Sequence, residues 1–155
     1  MSLSPITIFD FTKDASLENW RIVDDVVMGG RSDGNFFIDD NGHATYSGFV
    51  SIENNGGFSS ARYNFKALDI QQSTKVVLRL KGDKKDYQFR IKTNSDDYYS
   101  YICSFSTSGE WETIEIPLNE MYPGFRGRKL RMPNFNAQTI EEIGLLIGNK
   151  KNEEF

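Results

Sequence analysis

Acids occur in adjacent pairs at Asp24-Asp25, Asp39-Asp40, Asp96-Asp97 and Glu141-Glu142. Two carboxylates facing each other across a bond can perform acid–base hydrolysis. Neighbours on a strand point to opposite faces, so adjacency alone makes no catalytic dyad. A carboxylate hydrolase would need two facing acids in a cleft, and it ranks last among the functional readings. His43 is the single histidine, which rules out a histidine-rich metal site. Cys103, the one cysteine, lies among alternating strand residues and reads as packing rather than as a nucleophile. The serine of "YSGF" lacks the strand-to-helix elbow of a hydrolase nucleophile. No phosphate-cradling glycine loop is followed by Lys-Ser/Thr. The expectation is a non-catalytic protein with no cofactor and no metal.

The densest polar stretch is "DDVVMGGRSDG", residues 24–34. Gly29 and Gly30 admit backbone angles closed to other residues, and Asp33-Gly34 is a turn signal. Asp24 and Asp25 can cap turns through their carboxylates, or join other oxygens around a cation, although no regular ligand spacing supports the cation. Met28 suits either a core plug or an adaptable contact for a partner. Arg31 is expected to pair with a neighbouring acid, and Ser32 belongs to the same loop.

A second group of polar residues lies on strands. Arg62, Arg79 and Arg90 are flanked by strand-forming neighbours, and Tyr99 and Tyr101 share one parity. If the strands of Arg79 and Arg90 form a meander, the two arginines meet on one face. With Tyr99 and Tyr101 they would make a surface suited to a sugar, an anion or a protein. The plainer reading is a solvated outer face with ordinary ion pairs. Tyr98, Tyr99, Tyr101, Trp111 and Arg90 could supply the aromatic platform and polar groups of a carbohydrate site.

The elements that must position these residues are strands. Period-two alternation and frequent Gly/Asn/Asp breaks predict strands over 6–11, 36–39, 44–53, 58–65, 75–83, 86–94, 97–105, 111–118 and 140–150. The segment 97–105 is expected to form a hairpin with 86–94. Short helical turns are expected at 16–20 and 137–142. About nine strands at this spacing predict an all-β antiparallel sandwich or jelly roll. The 155 residues fit one domain, and aromatics at 14% can fill such a core. A net charge of −4 argues against a generic nucleic-acid binder, though not against a local basic patch. No apolar run reaches the roughly 20 residues of a membrane span. The expected location is cytoplasmic, with any membrane association made through a partner. A removed targeting segment stays open, because Met1-Ser2-Leu3 could be a remnant of cloning.

Residues 119–139 are the irregular part, with Pro123, Gly124, Gly127 and Pro133. Long ordered loops are often functional. The alternative is a strap that covers one end of the sandwich with Tyr122, Phe125 and Phe135.

Several segments occur in an order that resembles a known family. They are "W-x3-DDVVMGGRSDG" (20–34), "GFSSAR" (57–62), "LRLKGDKKDYQFRIKT" (78–93), "WETIEIPL" (111–118), "FRGR" (125–128) and "IGLLIGNK" (143–150). Together they resemble the complex I intermediate-associated protein 30 family, its stand-alone bacterial kind. The resemblance implies a galactose-binding-domain-like jelly roll. It also implies a non-enzymatic binder or assembly chaperone, with respiratory-complex subunits as expected partners. Asp24, Asp25, Met28, Gly29, Gly30, Arg31 and Ser32 form one expected partner-binding segment, and Phe125, Arg126 and Arg128 the other. Alternatively, Asp24 or Asp25 pairs with Arg126 or Arg128 and these motifs hold the fold. The fold usually ends in a further apolar strand, where this sequence has only "KNEEF"; an open edge there would favour strand pairing with a second copy. Carbohydrate binding is the second functional reading.

Overall fold

Alternating side chains on consecutive segments produce ladders of antiparallel strands. The computed structural model describes residues 6–25, 31–53, 56–70 and 72–155, and twelve strands run through them. The chain divides into two compact units, one built around Asn64–Leu145 and the other around Ser4–Tyr63 with Leu146–Phe155.

In the first unit lie β5 (Lys75–Lys81), β6 (Asp86–Lys92), β7 (Ser100–Ser106), β8 (Trp111–Pro117), β9 (Tyr122–Phe125) and β10 (Arg128–Lys129). Most of β11 (Thr139–Ile147) and the second half of β4 (Ser59–Asp69) also belong to it. The hydrogen-bonded order runs β4, β11, β6, β7, β9, β10, while β5 and β8 pair as a separate sheet. The expected hairpin of β6 and β7 forms, with Phe89 opposite Cys103 and Ile91 opposite Tyr101. Phe89, Ile91, Ile116, Met121 and Ile140 are almost wholly buried. Each contributes about 1.5–3 kcal/mol through burial of its apolar surface.

The second unit holds β1 (Trp20–Asp24), β2 (Asp33–Ile38), β3 (Ala44–Val50), the first half of β4 and β12 (Glu153–Glu154). β1 pairs with β4 from Trp20 opposite Tyr63 to Asp24 opposite Ser59. β3 lies between β2 and β12. An aromatic cluster fills this unit. Trp20 is stacked on Phe36 at 4.7 Å and on Tyr63 at 5.0 Å, with Phe9 edge-on to it at 5.6 Å and Phe11 tilted at 5.4 Å.

That cluster explains one correction. Residues 6–11 do not form the expected strand. Phe9 and Phe11 are used for ring packing, and among the described residues no ladder pairs with their backbone. The expected helical turn at 16–20 is only a hydrogen-bonded turn, with the Trp20 N–H donating to the Leu17 carbonyl at 2.9 Å. The turn expected at 137–142 gives way to β11, which begins at Thr139. The segment "KNEEF" itself supplies β12. Glu153 lies opposite Val50, and Phe155 and Gly48 exchange two backbone hydrogen bonds.

Candidate binding site

The carboxylate of Asp25 is completely buried. It accepts hydrogen bonds from the Ser32 N–H at 2.9 Å, the Ser32 hydroxyl at 2.5 Å, the Gly57 N–H at 2.6 Å and the Phe58 N–H at 3.3 Å. Burial alone would raise its pKa. The Ser32 hydroxyl and the three N–H groups outweigh that and hold the carboxyl below its ordinary range. Ser32 Oγ in turn accepts the Ser51 N–H at 3.0 Å. Asp24 accepts the Gly34 N–H at 2.8 Å through one oxygen, and its other oxygen is buried. Both acids therefore act as caps inside their own unit, the turn-capping use of the two. Arg31 meets Glu53 at 3.6 Å with both side chains largely exposed, the expected acid pairing. Met28, Gly29 and Gly30 lie outside the described residues. Among the described residues no group of three His, Cys, Asp or Glu side chains could hold a metal ion.

The strand arginines do not assemble as the meander would require. β5 pairs with β8 and β6 with β7, so Arg79 and Arg90 belong to different sheets. Sequence adjacency of 75–83 and 86–94 suggested a hairpin, but the turn between them carries the chain from one sheet to another. Arg79 donates to Thr113 Oγ1 at 3.3 Å and lies 6.0 Å from the Trp111 ring. The Arg90 guanidinium clasps Gln88 Oε1 at 2.7 and 3.0 Å. Arg62, whose Nε donates to Ser60 Oγ at 3.1 Å, stands in the other unit. Tyr101 is buried against Phe135, with ring centroids 5.3 Å apart. Tyr99 packs its ring edge-on at 5.7 Å to Tyr101, and burial together with the Tyr101 hydroxyl raises its phenol. Cys103 is half-buried opposite Phe89, and burial raises its thiol as well, which fits packing rather than nucleophilic use.

What the fold does bring together is the end of the β9–β10 hairpin and the turn before β7. Arg126 and Gly127 both have positive φ, 50° and 78°, which makes a tight two-residue reversal between Phe125 and its cross-strand partner Arg128. Phe125 therefore stands at the exposed end of β9. Its ring meets Tyr98 edge-on at 5.1 Å, and the Arg126 guanidinium lies 5.2 Å from its centroid. Tyr98 is 62% exposed and Phe125 36%. The base of the hairpin is fixed: Pro123 is buried, its carbonyl accepts the Leu130 N–H at 2.9 Å, and the Phe135 N–H reaches the Met121 carbonyl at 3.0 Å. The irregular stretch is thus part strap, through buried Phe135 and half-buried Tyr122, and part presented surface, through Phe125. From the sequence, Tyr98 belongs to the expected carbohydrate platform and Phe125 to the expected partner-binding segment. The contact of Tyr98 with Phe125 joins two segments far apart in sequence.

The profile of complex I intermediate-associated protein 30 matches residues 9–155, nearly the whole chain. The chain belongs to that family. Among solved structures it is similar to a family 11 carbohydrate-binding module of the cellulosomal cellulase Lic26A-Cel5E of Clostridium thermocellum. That likeness has a TM-score of 0.71 at 16% identity and covers 97% of this chain and 91% of that one. A family 11 module from Clostridium thermocellum in complex with a β-1,3-1,4-mixed-linked tetrasaccharide is similar at a TM-score of 0.67 and 16% identity. It covers 92% of this chain and 86% of that one. The fold is accordingly the antiparallel, galactose-binding-like jelly roll expected from the sequence. No helix among the described residues is long and apolar enough to cross a membrane.

Proposed function

We propose that this member of the complex I intermediate-associated protein 30 family is a non-catalytic binding module that recognises a protein partner in an assembly role. Respiratory-complex subunits are the partners the family points to. The observation that carries the reading is the contact of Tyr98, Phe125 and Arg126 at the exposed hairpin end. Aromatic and arginine side chains dominate binding energy at protein interfaces. Here they are held in place by one another and by a buried hairpin base, so little ordering cost remains at binding.

The test is affinity capture from a lysate with membranes included, read by mass spectrometry. Wild type is run beside a Tyr98→Ala, Phe125→Ala variant first shown to be folded. Respiratory-complex subunits retained by wild type and lost by the variant support the reading. Equal retention by both places recognition elsewhere on the protein.

A second reading, carbohydrate binding, is favoured by the exposed Tyr98 ring with the Arg126–Phe125 pair beside it. An aromatic face flanked by hydrogen-bond donors suits a sugar. Calorimetric titration with a mixed-linked β-glucan tetrasaccharide checks it, and absence of heat against a tyrosine-dependent signal decides.

A further inference from the structure

We propose that the β9–β10 hairpin and the residues after it form a docking surface for an anionic lipid bilayer. Residues 126–131 read Arg-Gly-Arg-Lys-Leu-Arg, and no acid occurs anywhere from 121 to 140, in a chain whose net charge is −4. Arg126, Arg128, Lys129 and Arg131 are all exposed. No ion pair involves any of the four among the described residues. The contacts they do make are with rings: Arg126 on Phe125, and Lys129 Nζ 5.6 Å from the Tyr122 centroid. Large apolar groups are interspersed among the cations in sequence, with Phe125 36% and Met132 37% exposed.

Three features select a bilayer over an acidic protein segment. The cations lie on an exposed hairpin and the exposed residues after it rather than in a groove. The hollow of about 220 Å³ in this unit is lined by Ser73, Thr74, Leu118, Asn119 and Phe135, and takes none of the four cations. The charge from 121 to 140 is of one sign, which attracts a diffuse anionic surface. Cations alternating with Phe and Met match an interface in which headgroups meet charge and the acyl boundary meets apolar side chains. Repulsion from the acids elsewhere on the chain is screened within about 8 Å at physiological salt.

The test uses the full chain and vesicles, with no protein partner, so it stands apart from the proposed protein recognition. Sedimentation compares vesicles of phosphatidylcholine alone with vesicles holding about 30% phosphatidylserine. The variant Arg128→Gln, Lys129→Gln, Arg131→Gln leaves Tyr98, Phe125 and Arg126 intact. Each cation near an anionic surface is worth about a fivefold change, so the triple variant should bind on the order of a hundredfold more weakly. Binding to the anionic vesicles alone, lost in the triple variant and at about 0.5 M salt, is the expected result. No binding to anionic vesicles, equal binding by the triple variant, or binding to poly-glutamate but not to vesicles overturns the proposal.

Discussion

The Ser32 hydroxyl donates to a carboxylate oxygen of Asp25, seven positions earlier in the chain, at 2.5 Å, with both residues buried. The contact ties the residue after β1 to the residue before β2. It also links two segments that looked separate in the sequence, because Asp25 accepts the N–H groups of Gly57 and Phe58 as well. Both acids of the segment accept backbone N–H groups within their own unit.

Asp25→Ala is therefore expected to behave as a stability mutant. It leaves the N–H groups of Ser32, Gly57 and Phe58 without their acceptor, each a loss of about 1–3 kcal/mol when buried. A net loss of about 3–5 kcal/mol is expected, with Ser32→Ala losing about 1–3 kcal/mol. Urea unfolding of the two variants and their combination checks this. The combined loss should fall short of the sum of the two, because they remove the same contact.

The same carboxylate sets an acid limb of stability. Its folded-state pKa is depressed, so the unfolded chain binds the proton more readily. The stabilisation is fully present above the unfolded value of about 3.9 and is lost as pH falls through the lower folded value. Tyr46 acts in the opposite direction. Burial raises its phenol, although the Ser59 hydroxyl, 2.8 Å from the phenol oxygen, works against the rise. Its contribution is present below the unfolded value of about 10 and is lost as pH rises above it. Denaturation midpoints between about pH 2 and 6 should fall less steeply in Asp25→Asn than in wild type. Tyr46→Phe should flatten the alkaline side only.

The strands of alternating pattern were legible, β6, β7 and β8 most plainly, because their period is a local property of the chain. The pairing was less so. Whether β5 joins β6 or β8 depends on contacts distant in sequence, and the expected meeting of Arg79 and Arg90 failed for that reason. β1 went unseen because "WRIVD" runs straight into the acidic loop. Phe9 and Phe11 read as strand residues because alternation does not distinguish a ladder from ring packing on Trp20. At the candidate site, residue types were visible and neighbourhood was not. Nothing local says that Tyr98 and Phe125 touch.

Gly48 carries a requirement that alternation could not reveal. It pairs across the ladder with Gly34, and a Cβ on Gly48 would collide with the Asp33 carbonyl oxygen and the Gly34 Cα. Both obstacles are backbone, so relief requires β2 and β3 to separate. The Phe155 strand that exchanges hydrogen bonds with Gly48 would be disturbed with them. Gly48→Ala should cost about 2–4 kcal/mol, an overpacking loss at the upper end of the usual range. A thermal melt lowered by several degrees, with the Phe155 amide exchanging faster in hydrogen exchange, is the expected pair of readings.

The hairpin end should behave in the opposite way from the Asp25 loop. Tyr98 and Phe125 keep much of their surface in water, so removing either ring forfeits little burial. The edge-to-face contact adds about 0.5–1.5 kcal/mol to a buried pair and less to one that is half solvated. Tyr98→Ala and Phe125→Ala should each change unfolding free energy by less than about 1 kcal/mol. Their coupling in a double-mutant cycle should be smaller still. Phe135→Ala, a few residues beyond, removes a buried ring packed on Tyr101 and should cost about 3–5 kcal/mol. Chemical denaturation of these variants separates presented residues from the strap that holds them. A loss above about 3 kcal/mol in Phe125→Ala would mark Phe125 as part of the strap.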